Sequence, residues 1–392
     1  MQREERDWPL DITRAGLLTL AVVMHGVVGV SVAASYGTPE FARRDWWAFR
    51  DAGRRVLEGD LAGLYDARPG GFPFLHPPYV ASALAPLGGL GDAAYFACMV
   101  AGHLLGLGAA VFAMRRLRGL VGAQDVVLLG LLACAPWTIG LVLGQPSGLL
   151  LGAWLVAFWG IERKRAFSAG LLLGLCALKP PYVVAPIIYA LLTRRYRVLG
   201  GITTSVALLL ILSGLVGHWS EWIAAIARTL GDVSTAELTL WKQHTLLASL
   251  RGSTSRGVAL VLWGLAAAVL SIRIYAVRRV RLPTLRLVGW LALGTLALSP
   301  FAYFYDALLL AIPAAALWFC PQSYSPRSRA TLGAVAALTF VAQHIEFFVL
   351  QSGTPIVGLL AAVWFGLELI QGPCESAHHR VRELDGQPDR DG

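Results

Sequence analysis

EFARRDWWAFRDAGRRVLEGDLAGLYDARPGGFPFLHPPY, residues 40–79, is polar, yet apolar segments flank it on both sides. It holds most of the acidic residues in the first quarter of the chain. Its first half has helical order. Phe49, Ala52, Gly53 and Val56 fall on one stripe; Asp51, Arg54, Arg55 and Glu58 fall on the opposite one, with Asp51 and Glu58 turned toward water. The second half is rich in Gly and Pro and ends on the stiff Pro77-Pro78 pair. An ordered polar segment between apolar runs reads as a loop held by a membrane bundle, its first helix lying along the membrane surface.

The flanking chain fits that reading. Of 392 residues, 56% are hydrophobic and 15% charged, against about 25% charged in soluble domains. The charges cluster and leave uncharged runs at 15–39, 126–161, 198–220, 307–326 and 347–367. A helix crossing the hydrocarbon core needs about 20 apolar residues, and several runs are long enough. The fold class is therefore an all-α polytopic membrane protein. A β-barrel would require alternating segments of about ten residues, and the sequence has none. The net charge of +9 is no sign of nucleic acid. Arginines stand in short groups between apolar runs: Arg115, Arg116 and Arg118; Arg163 and Arg165 around Lys164; Arg194, Arg195 and Arg197; Arg278, Arg279 and Arg281; Arg327 and Arg329. That is the distribution of cytoplasmic connecting loops, not of a basic groove with interleaved aromatics. The partner surface is a bilayer. The five cysteines show no CxxC spacing and read as small buried hydrophobes. No tandem repeat is visible.

Placing every arginine group on the cytoplasmic side gives about twelve crossings in a single domain, residues 1–371, with both termini inside. Residues 15–34 cross first; a cleavable leader ending near Val32-Ala33-Ala34 competes with this reading, but the topology needs the helix retained. A long first outer loop, 35–76, follows. Residues 77–87 read as a half-helix and 92–114 as the returning span. Hairpins turn near Gly144-Gln145-Pro146, at Lys179-Pro180-Pro181, at Ser299-Pro300-Phe301 and near Gln351 to Thr354. Residues 198–217 and 257–277 cross on either side of a second outer loop, 218–255. Residues 372–392 form a polar, disordered cytoplasmic tail. Between the termini, polar features other than the arginine groups then lie outside, including Lys179 and Lys242, two of the three lysines. Polar hairpin tips converging on one face predict a site at the extracytoplasmic surface of the plasma (inner) membrane.

Asp45 stands out within the first loop. Helical phasing puts it near the middle of the apolar stripe, where a carboxylate needs a partner or a task. The plain alternative is an N-cap, and the two roles are compatible.

The ordered set of short motifs resembles glycosyltransferase family 87, membrane enzymes that use polyprenol-phosphate sugars. The matching pieces are Asp45-Trp46-Trp47-Ala48-Phe49 with Ala52-Gly53; Gly59 with Leu64-Tyr65-Asp66; and Phe74-Leu75-His76-Pro77-Pro78 with Ala85-Pro86-Leu87. Then come Gly144-Gln145, Ala169 to Gly174, Lys179-Pro180, and Ser299-Pro300 leading to Tyr305-Asp306. The likeness runs over roughly residues 14–320. It implies a GT-C-like bundle whose first outer loop is catalytic. It implies transfer of a hexose, mannose above all, from a polyprenyl phosphate to an extracytoplasmic glycan or glycolipid; α-1,2-mannosyltransferases are the known type. Two departures bear on sugar or acceptor choice. His76 stands where the family often has Tyr, and Pro146-Ser147 stands where it often has Asn after Gly-Gln.

On this resemblance Asp45 is the general base of an inverting transfer. The leaving phosphate requires cations, for which Lys179, Lys242, His244 and Arg44 beside Arg43 are the candidates. The plain reading of Lys179 is a snorkelling interfacial lysine, and that of Lys242 and His244 is solvated loop residues. His76, Gln145, Tyr305 and Asp306 are the candidate sugar or acceptor ligands. Their plain readings are a helix cap for His76, a wet hairpin tip for Gln145 and an interfacial aromatic belt around residues 301–306; Asp306 could also pair with a cation. Asp66 reads as a turn residue, and His25, His103, Glu346 and Glu368 as paired structural polars. There is no HExxH and no aspartate pair at ligand spacing, so no metal or other cofactor is expected. A transporter or lipid-linked-sugar flippase with the same bundle is the rival; it would be expected to show pseudo-repeats and ionisable groups near the midplane.

Overall fold

A computed structural model of the chain describes residues 8–35, 45–66, 74–118, 124–214, 217–231, 245–277, 284–299, 302–345 and 356–371. Arg44, Lys242, His244, Glu346, Pro300-Phe301, the turn near Gln351 to Thr354 and the 372–392 tail lie outside the described residues. Within them every regular element is helical and none is a strand. In chain order the α-helices are α1 (Trp8–Ser35), α2 (Asp45–Glu58), α3 (Pro78–Gly88), α4 (Asp92–Arg118), α5 (Gln124–Leu132), α6 (Ala135–Leu143), α7 (Ser147–Glu162), α8 (Ala166–Leu175) and α9 (Pro181–Leu192). They continue with α10 (Tyr196–Gly214), α11 (Trp219–Gly231), α12 (Leu246–Ser253), α13 (Arg256–Val277), α14 (Thr284–Leu298), α15 (Ala311–Phe319), α16 (Pro326–Ile345) and α17 (Ile356–Gln371). Short 3-10 turns cover Cys176–Leu178, Phe304–Leu310 and Pro321–Ser323.

Local sequence explains the ends that matter. Prolines open α3, α6 and α9, where a missing N–H does no harm. Gly144 closes α6 in the left-handed conformation, φ 65°, and the chain doubles back: α6 and α7 meet at 119°. The expected turn at 144–146, half-helix at 77–87 and turn at Lys179 are all present. α1, α4 and α10 are long and apolar enough to cross a bilayer, and the bent pair α6–α7 can supply one more. Other apolar helices run to between 10 and 17 residues, so several of the twelve predicted crossings would fall to short or broken segments.

Small residues let the helices touch. A Cβ on Gly106 of α4 would sit 2.2 Å from the Gly148 carbonyl oxygen of α7, the close backbone approach by which membrane helices pack. The first-loop helix α2 seats on α3 in the same way: a Cβ on Gly88 would lie 2.4 Å from the Arg54 nitrogen. Arg50 Nε also donates to the Leu90 carbonyl at 2.7 Å, and its guanidinium pairs with Asp92. α2 is thus fastened down on the bundle.

The polar stripe of α2 is not all solvated. Arg55 is 7% exposed. Its Nε donates to Asp51 Oδ2 at 2.9 Å, and Nη1 stands 3.7 Å from Asp60. Asp51 is therefore largely covered by its own helix neighbour instead of facing water. The reason lies beyond the helix: the chain folds back over Arg55 at Gly63, where even a Cβ would collide with the guanidinium. Deep in the bundle Arg286 and Glu368 pair at 3.2 Å, with Trp290 Nε1 donating to Glu368 at 2.9 Å, so Glu368 is a paired structural polar. His25 bonds the Ala21 carbonyl of its own helix at 2.8 Å.

Candidate active site

Several helix ends meet at one place and bring their polar side chains together. Asp45 is the first residue of α2. Its Oδ2 accepts a hydrogen bond from Gln145 Nε2 at 2.6 Å. Gln145 follows the left-handed Gly144, and its N–H donates to the Gly140 carbonyl at 2.8 Å. Glycine is required at 144 for space as well as for φ: a Cβ there would lie 2.5 Å from the Cβ of the fully buried Trp46. Trp46 in turn packs on Tyr95 and Phe96, with ring centres 6.3 and 5.9 Å away. The α6–α7 elbow and the head of α2 are thereby locked together, and the Asp45–Gln145 contact follows from that lock.

Lys179 sits in extended backbone between the Cys176–Leu178 turn and Pro180. Its ammonium donates to Asp306 Oδ1. The same oxygen accepts from Ser147 Oγ at 3.0 Å and from the Tyr182 hydroxyl at 2.9 Å, and Oδ2 accepts from the Tyr303 N–H at 2.9 Å. Asp306 is 1% exposed. A carboxylate so surrounded is an anchor for the lysine, so of its two possible roles the structure shows pairing with a cation. Tyr305 lies beneath the ammonium, 4.2 Å from ring centre to Nζ, in cation–π range. The Asp45 charge also acts on Lys179, Tyr303 and Tyr305 through space, which puts both carboxylates and the ammonium in one electrostatic cluster.

His76 closes the cluster on the first-loop side. Its ring packs between Phe49 and Phe74, at 4.8 and 5.6 Å. Burial and the nearby Lys179 charge push its pKa down to about 3, although a bond with the Leu178 backbone opposes them. The imidazole is therefore neutral. It does not cap α3, whose N-cap is Pro77. The Tyr79 hydroxyl donates to the Ala177 carbonyl at 2.7 Å, and Trp222 Nε1 of α11 donates to the Leu75 carbonyl at 3.0 Å. These bonds tie residues 75–79 to the lysine turn and to α11. Asp66 lies in a turn closed by its N–H to Gly63, 3.1 Å.

The structure thus brings together Asp45, His76, Gln145, Lys179, Tyr305 and Asp306. Ser147, Tyr182 and the Tyr303 N–H complete the shell of Asp306; the sequence marks Ser147 only as a departure from the family's usual Asn and Tyr303 only as one of the aromatics before Asp306, and does not mark Tyr182. Ser147 and Tyr182 each stand beside a flagged motif, but no spacing rule links them to residue 306. Among the described residues no three His, Cys, Asp or Glu side chains gather closely enough to hold a metal ion.

No curated protein matches the chain. The profile of glycosyltransferase family 87 matches residues 74–300. Those residues include His76, Gln145 and Lys179, whereas Asp45 and Asp306 lie outside, so the two contacts just described join matched to unmatched chain. With more than half of its length inside the match, the chain belongs to glycosyltransferase family 87.

Proposed function

We propose that the protein transfers a hexose, mannose foremost, from a polyprenyl phosphate to a hydroxyl of a glycan or glycolipid at the extracytoplasmic face of the plasma membrane. The observation that carries this reading is the pairing of a fixed carboxylate with a fixed ammonium in one cluster: Asp45 on Gln145, and Lys179 on Asp306. Asp45 takes the proton of the acceptor hydroxyl. The acceptor oxygen bonds to the anomeric carbon as the bond from that carbon to the phosphate oxygen breaks, which inverts the centre. The bonding electrons leave on the polyprenyl phosphate. An ammonium has three donors; in Lys179 one is used on Asp306, and the others serve the phosphate as its charge grows. His76, neutral, and Tyr305 border the sugar. Lys179 supplies positive charge without a metal, so chelation by EDTA is expected to leave the rate unchanged.

A lipid donor needs room for its chain. An apolar cavity of about 270 Å³ is lined by Leu131, Leu310, Ala311, Ala315, Phe340 and Trp364, among others. Leu310 ends the 3-10 turn that carries Asp306, so one short element links the cavity wall to the polar cluster. This cavity is the candidate seat for the hydrocarbon chain of the donor.

The deciding experiment is a donor screen with purified protein in proteoliposomes, read by mass spectrometry of the product. A new glycosidic bond made from a polyprenyl-phosphate sugar, and lost with Asp45→Asn, supports the reading. Retained transfer by Asp45→Asn removes Asp45 as base. Movement of the lipid-linked sugar across the bilayer with no bond formed establishes a carrier instead.

A further inference from the structure

His103 sits in the interior of α4 and is 1% exposed. A titratable side chain inside an apolar helix is expensive in a bilayer and is seldom kept without use. Its ring is clamped from both ends of α6. Nδ1 stands 3.2 Å from the Gln145 carbonyl oxygen, and Nε2 stands 3.2 Å from the Trp137 carbonyl oxygen. The ring lies over the Trp137 indole, with centres 4.0 Å apart. Two glycines clear its space. A Cβ on Gly148 would lie 2.6 Å from Nδ1, and one on Gly140 would lie 3.0 Å from Cε1. The elbow is thus built around this ring.

Gln145 is the residue that this arrangement fixes. Its N–H is held by Gly140, its carbonyl faces His103, and its side-chain amide donates to Asp45. We propose that His103 is a positioning residue for the transfer reaction: through the Gln145 backbone it sets the reach of the Gln145 amide, and so the placement of the Asp45 carboxylate. This rests on the reading of Asp45 as the base. A neutral imidazole has one N–H to give, so the two carbonyl contacts are not equivalent, and only the Nδ1 side leads to Asp45.

That asymmetry supplies the test. His103→Asn places an amide nitrogen near the position of Nδ1, His103→Gln near that of Nε2, and His103→Leu near neither. In the proteoliposome assay His103→Asn should keep kcat within about threefold, whereas His103→Gln and His103→Leu should lose about tenfold or more, with KM for donor and acceptor little changed. In a Gln145→Ala background, adding His103→Leu should lower kcat by less than about twofold, because both changes break one chain of contacts. Equal impairment of the Asn and Leu variants, or losses that multiply in the double variant, overturns the proposal. Melting temperatures accompany each variant. If His103→Leu does not fold, the contrast between Asn and Gln decides. Activity retained by Asp45→Asn is a separate failure, that of the base assignment, and is read from the single variant.

Discussion

Asp45 and Lys179 hold the opposite charges of the site, and the chemistry assigns them different losses. Under the proposed mechanism Asp45→Asn keeps the shape and removes the base, so kcat should fall by about 10²–10⁴-fold with the melting temperature nearly unchanged, as measured by transfer rate and thermal unfolding. Lys179 and Asp306 are both buried, and removing one leaves the other uncompensated. Lys179→Met or Asp306→Asn alone should destabilise by roughly 3–5 kcal/mol. The double variant should recover much of that melting temperature and none of the activity. His76 gives a pH signature. Folding holds its pKa at about 3, whereas the unfolded chain titrates near 6.5. As pH falls below about 6.5 the unfolded state takes up the proton first, so stability drops toward acid. Wild type should therefore lose more melting temperature than His76→Gln between about pH 7.5 and about pH 5. At this scale the sequence shows which residues are unusual: the phasing of Asp45 and the isolation of Lys179 between short arms are visible in it. It does not show who meets whom. Asp45 finds Gln145 across 100 positions and Lys179 finds Asp306 across 127, and no local periodicity reaches that far.

The elements carry those residues to one point through backbone-close packing. Gly88→Val would drive a side chain into the Gly53–Arg54 backbone. It should cost about 1–3 kcal/mol and also lower kcat, since α2 bears Asp45. Gly89→Ala is the control. Its backbone is right-handed helical and a Cβ there meets only Leu57 Cδ1, at 3.7 Å, so stability and rate should hold. Helix starts and breaks were legible wherever a special residue forces them: Pro78, the left-handed Gly144, and Lys179 before the Pro180-Pro181 pair. Arg55 was not. The 3.6-residue period tells which side of α2 is polar, but not that the following loop folds back over that side. The division of the arm before Gly144 into α5 and α6 likewise has only Pro136 as its local mark.

For the whole molecule the all-helical, membrane-like character was open to reading from composition and charge grouping, because hydropathy acts locally. The number of crossings is harder to read, since broken helices share the bilayer thickness among short pieces. The apolar cavity at Leu310 was not readable at all, for it is walled by helices remote in sequence. Filling it with Ala315→Trp should raise KM for a long-chain polyprenyl donor by about tenfold and leave a short-chain donor nearly unaffected, as kinetics with donors of two chain lengths will show. The buried Lys179–Asp306 pair also sets an order of manufacture. Lys179 leaves the ribosome 127 residues ahead of its partner. At about 5–20 residues per second its ammonium waits roughly 6–25 s for Asp306. Through that interval the half-made bundle carries the ammonium without its hydrogen-bonded carboxylate, a mark that quality-control proteases and membrane chaperones can recognise. A fragment ending near residue 277 should be cleared rapidly in cells, and Lys179→Leu should lengthen its lifetime in a pulse-chase experiment. The ion pair that arms the site would then also certify that the chain has been finished.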